Sequence, residues 1–219
     1  MSDIENHLKT VPKSAIKRLA LYSRALSRLE MNGAIRISSR ILALQLGITP
    51  AQVRKDLAYF GQFGVPGFGY KPKDLRLQIR KILGTDEIKH VAIVGVGNLG
   101  RALLSYVGFK AQGFKFTAAF DSDPHKIGRT INHIIIQSIN DLEKILQKKK
   151  VDIVLVAVPM SVVQEVTDRL VKSHITAILN FVPQRLVVPP FVKVHYVDLA
   201  MELESLSFYL HTPADKPGK

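Results

Sequence analysis

The stretch that decides the fold reads His90-Val91-Ala92-Ile93-Val94-Gly95-Val96-Gly97-Asn98-Leu99-Gly100. Its first five residues form a short, mostly apolar run that predicts a buried strand. Three glycines follow at once in the pattern Gly-x-Gly-x-x-Gly, and a helical pattern over residues 101–107 comes next. In this strand–turn–helix context the glycines predict a dinucleotide site, because they allow a tight turn, admit the pyrophosphate and pack the helix on the strand. Free N–H groups at the helix N-terminus would bind the phosphates.

A second strand, over residues 114–120, ends at Asp121, which lies 26 residues after Gly95. An acid at this position accepts hydrogen bonds from the ribose hydroxyls of adenosine, and its charge repels a 2′-phosphate. The sequence therefore favours NAD(H) over NADP(H), although Lys126 and Arg129 nearby leave NADP(H) open.

The rest of this half alternates short β-branched runs with helical segments, which predicts an α/β fold with a doubly wound parallel sheet of the Rossmann type. Further strands are expected at 134–136, 151–158, 177–181 and 192–197, and helices at 138–148 and 161–172, the second opened by a capping box from Ser161 to Gln164. Two segments at strand ends, 158–160 and 180–183, could contact the nicotinamide half of the cofactor. Alternatively, each is only a strand that ends at a proline, and both interpretations stay open. The candidate cofactor contacts are Gly95, Val96, Gly97, Asn98, Leu99, Gly100, Asp121, Val158, Pro159, Asn180 and Phe181.

The 219 residues carry 31 Lys and Arg against 18 Asp and Glu, a net charge of +13, and this excess is uneven. Residues 1–84 hold 15 basic and 5 acidic side chains, whereas residues 85–219 hold 16 and 13. The composition changes near residues 82–87, which predicts a domain boundary there. A strongly basic first domain indicates a polyanionic partner.

The first domain is predicted to contain three helices, at residues 14–31, from Ser38 or Ser39 to residue 46, and at 50–60. Thr49 and Gln52 form a capping box for the third, in which the Gln52 amide reaches back to the Thr49 backbone. The last two helices, joined by a turn at Gly47, are typical of a helix-turn-helix.

The third helix would then enter the major groove of double-stranded DNA. Arg54 would bind a guanine, Gln52 an adenine and Lys55 a phosphate, and the glycine-rich loop at 61–70 resembles the wing of a winged helix. A small helical domain with a solvated basic face is the alternative. The candidate DNA contacts are Ser39, Gln52, Arg54, Lys55, Tyr59, Gly67 and Tyr70.

Several classes of protein are excluded or disfavoured. The chain has no cysteine, so disulfides and thiolate metal sites are excluded. There is no secretory signal pattern, and no apolar run approaches the roughly 18 residues of a spanning helix. We therefore expect a soluble, cytoplasmic protein without a membrane partner. The histidines lack metal-ligand spacing and no substrate domain remains, so we expect no metal and no catalysis; His133 and His195 are weak candidates for a proton donor.

The last predicted helix, at 199–210, carries more apolar surface than one covered sheet face requires. Packing against a partner subunit and covering the sheet of its own chain are both open. Near the nicotinamide, apolar Met160, Phe181 and Val182 would favour the neutral NADH over the cationic NAD⁺, because burying a cation is costly.

Over nearly its whole length, the chain resembles the Rex family of redox-sensing transcriptional repressors. The segments that carry the resemblance are Val53-Arg54-Lys55-Asp56-Leu57-Ala58-Tyr59-Phe60-Gly61, Gly67-Phe68-Gly69-Tyr70, Gly95 to Gly100, Phe120-Asp121, Lys126-Ile127-Gly128 and Asn180-Phe181-Val182-Pro183. The resemblance implies a winged-helix domain at 1–84, a Rossmann NAD(H) domain at 85–198, and a swapped dimerisation helix with a tail at 199–219. Ser23 departs from the family, which often has a tyrosine there.

The resemblance also implies a homodimer that binds an inverted-repeat operator and releases it when NADH binds, with NAD⁺ as a weaker competitor. Phe208 is the candidate for a side chain inserted into the partner's nicotinamide site. Arg18, Tyr106 and Asp198 match family positions that link the DNA-binding domains to the core. Alternatively, Arg18 is a basic surface residue, Tyr106 an aromatic residue on a helix face and Asp198 a helix N-cap. An NAD-dependent dehydrogenase with a basic appendage and a CoA-binding Rossmann subunit remain the rivals.

Overall fold

The computed structural model describes residues 11–64 and 67–211, so Val65 and Pro66 of the predicted wing and the tail from residue 212 lie outside it. The chain divides into two compact units, Met1–Glu87 and Ile88–Lys219, close to the boundary expected at 82–87. Among the described residues, no helix combines the length and apolar character needed to span a bilayer.

The described part of the first unit contains four helices rather than the three predicted. They are α1 (Lys13–Met31), α2 (Ser39–Leu44), α3 (Pro50–Ala58) and α4 (Pro72–Ile82). Helix α4 was not predicted; it buries only Pro72, Leu75 and Ile79, and most of its other residues are polar or charged. Leu75 and Ile79 join a single core with apolar residues of α1, α2 and α3.

The base of the wing is closed by a backbone bridge between Ile37 and Tyr70. The Tyr70 N–H donates to the Ile37 carbonyl at 2.7 Å, and the Ile37 N–H donates back at 2.9 Å. Gly69 has a φ of +73°, and a Cβ at this position would lie 2.3 Å from the Ile37 carbonyl oxygen. Glycine is therefore required at position 69, at the end of the wing loop, where the backbone passes close to Ile37.

Two predicted helix starts need correction. The Thr49 hydroxyl accepts the Gln52 N–H at 3.1 Å, as expected, but the Gln52 amide nitrogen donates to Asp56 instead of reaching back. Gln164 likewise donates to Asp168, and its helix begins at Val163 after a 3₁₀ turn, so the second capping box is absent. In both cases the amide nitrogen donates to a carboxylate one turn later, which turns the side chain away from the N-cap N–H that its oxygen would accept in a capping box.

The second unit contains a seven-stranded sheet in the order β3-β4-β2-β1-β5-β6-β7. Its strands are β1 (Lys89–Val94), β2 (Phe114–Asp121), β3 (Thr130–Ile131), β4 (Ile134–Ser138), β5 (Ile153–Val156), β6 (Ala177–Asn180) and β7 (Lys193–Tyr196). All pairings are parallel except that of β3 with β4. Without β3 this is the doubly wound order of the Rossmann fold, so the predicted fold class is confirmed.

Helices follow strands β1, β4, β5 and β7 in the chain. They are α5 (Asn98–Ser105), α6 (Gly108–Ala111), α7 (Leu142–Lys149), α8 (Val163–Lys172) and, at the end, α9 (Leu199–His211). The order in which the chain adds strands reverses at β1, which pairs in parallel with β2 on one side and with β5 on the other. The carboxyl end of β1 is therefore the point of the sheet at which nucleotides bind in this fold.

Candidate functional site

The three glycines after β1 have three different surroundings. Gly95 has a φ of +94°, and a Cβ there would lie 2.3 Å from the Ala157 carbonyl oxygen. A Cβ on Gly100 would lie 2.1 Å from the Gly95 carbonyl oxygen, so α5 packs directly on the turn. A Cβ on Gly97 would meet nothing within 4 Å. Gly95 and Gly100 are thus required by close packing, whereas Gly97 borders open space at the N-terminus of α5.

Asp121 ties the end of β2 to this turn. Its carboxylate accepts the Val96 N–H at 2.8 Å, the Asp123 N–H at 2.9 Å and the Lys126 ammonium at 3.1 Å. Burial alone would raise the pKa of Asp121, but these donors outweigh burial and hold its pKa below the usual value. The group is therefore an anion with three of its roughly four acceptor positions used, which leaves room for one further donor.

The strand ends beside the turn carry the remaining candidates. Asn180 is fully buried: its amide nitrogen donates to the carbonyls of Val182 and Gln184, and its oxygen accepts the Val182 N–H. Asn180 therefore shapes the loop after β6 with its side chain, whereas Phe181 is only partly buried. Because β5 lies between β1 and β6, Val158, Pro159 and Phe181 follow strands at the same edge as the glycine turn.

Three of the predicted DNA contacts lie together in the first unit. The exposed Arg54 guanidinium donates to the Ser39 hydroxyl at 3.1 Å. Burial raises the pKa of Tyr70, and the nearby charge of Arg54 partly offsets this. Lys55 and Gly67 are exposed and Tyr59 is partly exposed.

A wing residue pair was missed by the sequence analysis. The Arg36 guanidinium lies over the Phe68 ring at 5.7 Å and donates to the Phe68 carbonyl at 3.3 Å. The two residues are 32 positions apart in the sequence, so no local pattern indicates this contact. It adds a cation to the loop predicted to approach DNA.

A second missed feature is the carboxylate of Asp56, which is completely buried on α3. Arg18 of α1 donates to it from Nε at 2.5 Å and from Nη2 at 2.8 Å. The Tyr22 hydroxyl donates at 2.5 Å and the Gln52 amide nitrogen at 2.7 Å. These contacts fix α3 against α1.

Comparisons with known proteins match both units. Residues 10–58 match the family model "Putative DNA-binding protein N-terminus", and residues 86–184 match the model "CoA binding domain". The chain is 46% identical to a redox-sensing transcriptional repressor Rex of Desulfitobacterium hafniense, over 92% of this chain and 96% of the relative. The chain belongs to the Rex family of transcriptional repressors. A Rex of Carboxydothermus hydrogenoformans is 45% identical over 90% of this chain and 95% of its own.

Solved structures agree with this membership. The Rex-family repressor RSP in complex with β-NAD⁺ and operator DNA is 38% identical, with a TM-score of 0.87 over 91% of this chain and 92% of that chain. RSP in complex with β-NADH is 35% identical, with a TM-score of 0.83 over 92% and 94%. Rex proteins are named as repressors rather than enzymes, so the dehydrogenase rival is set aside.

The three residues matched to Rex switch positions have contacts within their own units. Arg18 binds Asp56, as described above. The Tyr106 ring is exposed and contacts Phe109 edge-to-face, with centroids 5.1 Å apart. Asp198 caps α9 by accepting the N–H groups of Ala200 and Met201 at 3.0 and 3.2 Å. A link between the units through these residues remains a prediction.

The final helix α9 leaves its apolar side chains in solvent. The exposed fractions are 59% for Leu199, 68% for Leu203, 61% for Leu206, 67% for Phe208 and 85% for Leu210. The alternative in which this helix covers the sheet of its own chain is therefore wrong. A helix with exposed apolar side chains along its whole length is typical of a surface that another chain covers.

Proposed function

We propose that this chain is a repressor that binds an inverted-repeat operator as a homodimer and releases it when NADH binds. The observation that carries the proposal is the presence in one chain of two sites: the open space at Gly97 at the sheet's switch point, and the basic helix α3 beside a wing. RSP, to which the chain is similar over both units, was solved with operator DNA and with NADH.

The nucleotide is NADH, with NAD⁺ as the weaker competitor. The pyrophosphate would pass Gly97 and meet the N–H groups at the start of α5, while a ribose hydroxyl would use the free acceptor position of Asp121. Exposed Met160 and partly buried Phe181 offer an apolar surface for the nicotinamide. An uncharged dihydronicotinamide loses less hydration there than the NAD⁺ cation does.

The homodimer forms through α9, whose exposed leucines need a cover. In this arrangement Phe208 contacts the partner's nicotinamide pocket, and Arg18, Tyr106 and Asp198 transmit the change to the DNA heads. Because the dimer has two-fold symmetry, its two α3 helices read the same bases in opposite directions, so the operator is an inverted repeat. A repressor of this kind works in the cytoplasm, where the operator lies.

A gel shift on promoter DNA tests the proposal directly. We expect a retarded complex without nucleotide, its loss on addition of NADH, a much weaker effect of NAD⁺, and none of CoA. A complex unaffected by NADH, or one dissociated equally well by CoA, would contradict the proposed function.

A further inference from the structure

The carboxylate of Asp56 uses all of its acceptor capacity inside the first unit. An ionised carboxylate has about four positions at which it accepts hydrogen bonds. Arg18 fills two, Tyr22 one and Gln52 the fourth. Burial alone would raise the pKa of Asp56, but the donors lower it, so the group is an anion at neutral pH. Three of the four donors come from α1, and only Gln52 comes from the helix predicted to read DNA.

This anion decides which way the Gln52 amide faces. A carboxylate accepts but does not donate, so the amide must turn its nitrogen, not its oxygen, toward Asp56. The contact is short, at 2.7 Å between Nε2 and Oδ1. Turning the amide over would place its oxygen against an anion in a buried site, which is strongly unfavourable.

The remaining groups of the Gln52 amide are one acceptor and one donor. Oε1 and the second N–H of Nε2 are not used by Asp56, and Gln52 lies partly exposed in the first turn of α3. The first turns of a recognition helix are the part that reaches base edges. In the major groove, adenine presents a donor at N6 beside an acceptor at N7, which is the complement of this pair.

We propose that Asp56 is a positioning residue for base recognition: it holds the Gln52 amide in the orientation that binds adenine. The inference rests on the proposed DNA-binding function and adds to it a buried residue that touches no DNA. A freely rotating glutamine side chain loses conformational entropy when it binds a base, and an amide that is already held in place avoids that loss. Loss of Asp56 therefore affects one base position of each half-site more than the rest.

The test uses the full-length protein without nucleotide. A duplex is first selected by the wild type from a random inverted-repeat pool, and each base pair of one half-site is then substituted in turn. Dissociation constants are measured by fluorescence anisotropy at one salt concentration for the wild type, Gln52→Ala, Asp56→Asn and the double variant. Glu30→Gln is the matched control, because Glu30 accepts from Arg76 at 2.8 Å, which joins α1 to α4 rather than to α3.

We expect the wild type to prefer adenine at one position by roughly 5- to 150-fold, the range for one bidentate side-chain–base contact. Gln52→Ala and Asp56→Asn each reduce that preference below threefold and keep the preferences elsewhere. Asp56→Asn changes the preference no further in the Gln52→Ala background. Gln52→Asn, which withdraws the amide by one methylene group, also loses it, and this variant leaves the buried network's other three bonds in place.

Three results would overturn the inference: a uniform loss of affinity at every position in Asp56→Asn, an Asp56→Asn effect on base preference that persists without Gln52, or an adenine preference retained by Gln52→Asn. A wild type that selects no sequence at all would instead refute the proposed DNA-binding function.

Discussion

Substitution of Gly97 by valine tests where the nucleotide crosses the turn. The backbone of Gly97 is extended, with φ −76° and ψ −162°, which β-branched residues adopt freely. A Cβ at this position would meet nothing within 4 Å. The free protein therefore has space for the valine, whereas a bound pyrophosphate would compete for that space.

The expected energies differ in size for folding and for binding. Gly97 is the N-cap of α5, and valine is a poorer cap by about 1 kcal/mol. Loss of glycine's freedom in the unfolded chain offsets this by about 0.4–1 kcal/mol. The melting temperature should thus change by less than roughly 5 °C. Overpacking against the ligand and one lost charge-assisted hydrogen bond together cost at least about 2.5 kcal/mol, or about 70-fold in NADH affinity.

Calorimetry with NADH, thermal melts and gel shifts provide the assay. We expect Gly97→Val to bind operator DNA normally and to stay bound at NADH concentrations that dissociate the wild type. Ala111→Val, at an exposed position of α6, controls for adding a valine to this unit. An NADH affinity within threefold of the wild type, with an unchanged melting temperature, would show that the pyrophosphate does not pass Gly97.

Four further predictions follow from the two units. Arg54→Ala should weaken operator binding by roughly 5- to 150-fold and leave NADH affinity unchanged in calorimetry. Deleting residues 199–219 should convert a dimer to a monomer by mass in solution, and a dimer that persists would refute the role of α9. Calorimetry should give a lower affinity for NAD⁺ than for NADH, and equal affinities would exclude the apolar-pocket explanation. Burial raises the pKa of Asp56, but its hydrogen bonds outweigh burial and hold the pKa below the unfolded value of about 3.9, so the ionised carboxylate stabilises the fold above that pH. Urea melts should show that the free energy of unfolding falls as the pH drops below about 4, and that it falls less in Asp56→Asn.

The sheet was predictable because each strand and the glycine turn are encoded over a few neighbouring residues. Alternation of short apolar runs with helices indicated the parallel order, and the glycine spacing indicated its nucleotide edge. Strand β3 was not predicted because it has two residues and depends on a tight hairpin, where Asn132 and His133 both have positive φ. The fourth helix does carry a local signal, because Leu75, Ile79 and Ile82 recur at helical spacing, but most of its residues are polar or charged and it was not predicted.

The sequence did not show which internal contacts the polar side chains of the candidate site make. Asp121 and Asn180 are predicted ligand contacts from their positions at strand ends, and the structure adds that both bind backbone groups of the adjacent turns. Asp56 was not singled out at all, because its partners on α1 lie 34 and 38 residues earlier in the chain. Periodicity shows which face of an element is apolar, but it does not show which donors will saturate a buried oxygen.

These inward-turned carboxylates suggest a common principle in the two units. Asp121 holds the glycine turn through the Val96 N–H, and Asp56 holds the recognition helix through Arg18 and Tyr22. In each case a buried anion is paired with local donors, so its removal would leave those donors without a partner and cost several kcal/mol. The exposed groups beside them, the N–H groups at Gly97 and the Gln52 amide, are then free to meet a ligand in a fixed geometry. Under the proposed function, Asp121 would contact the ribose as well as hold the turn, whereas Asp56 would touch no DNA. Substitution of Asp56 should therefore alter base preference before it abolishes DNA binding.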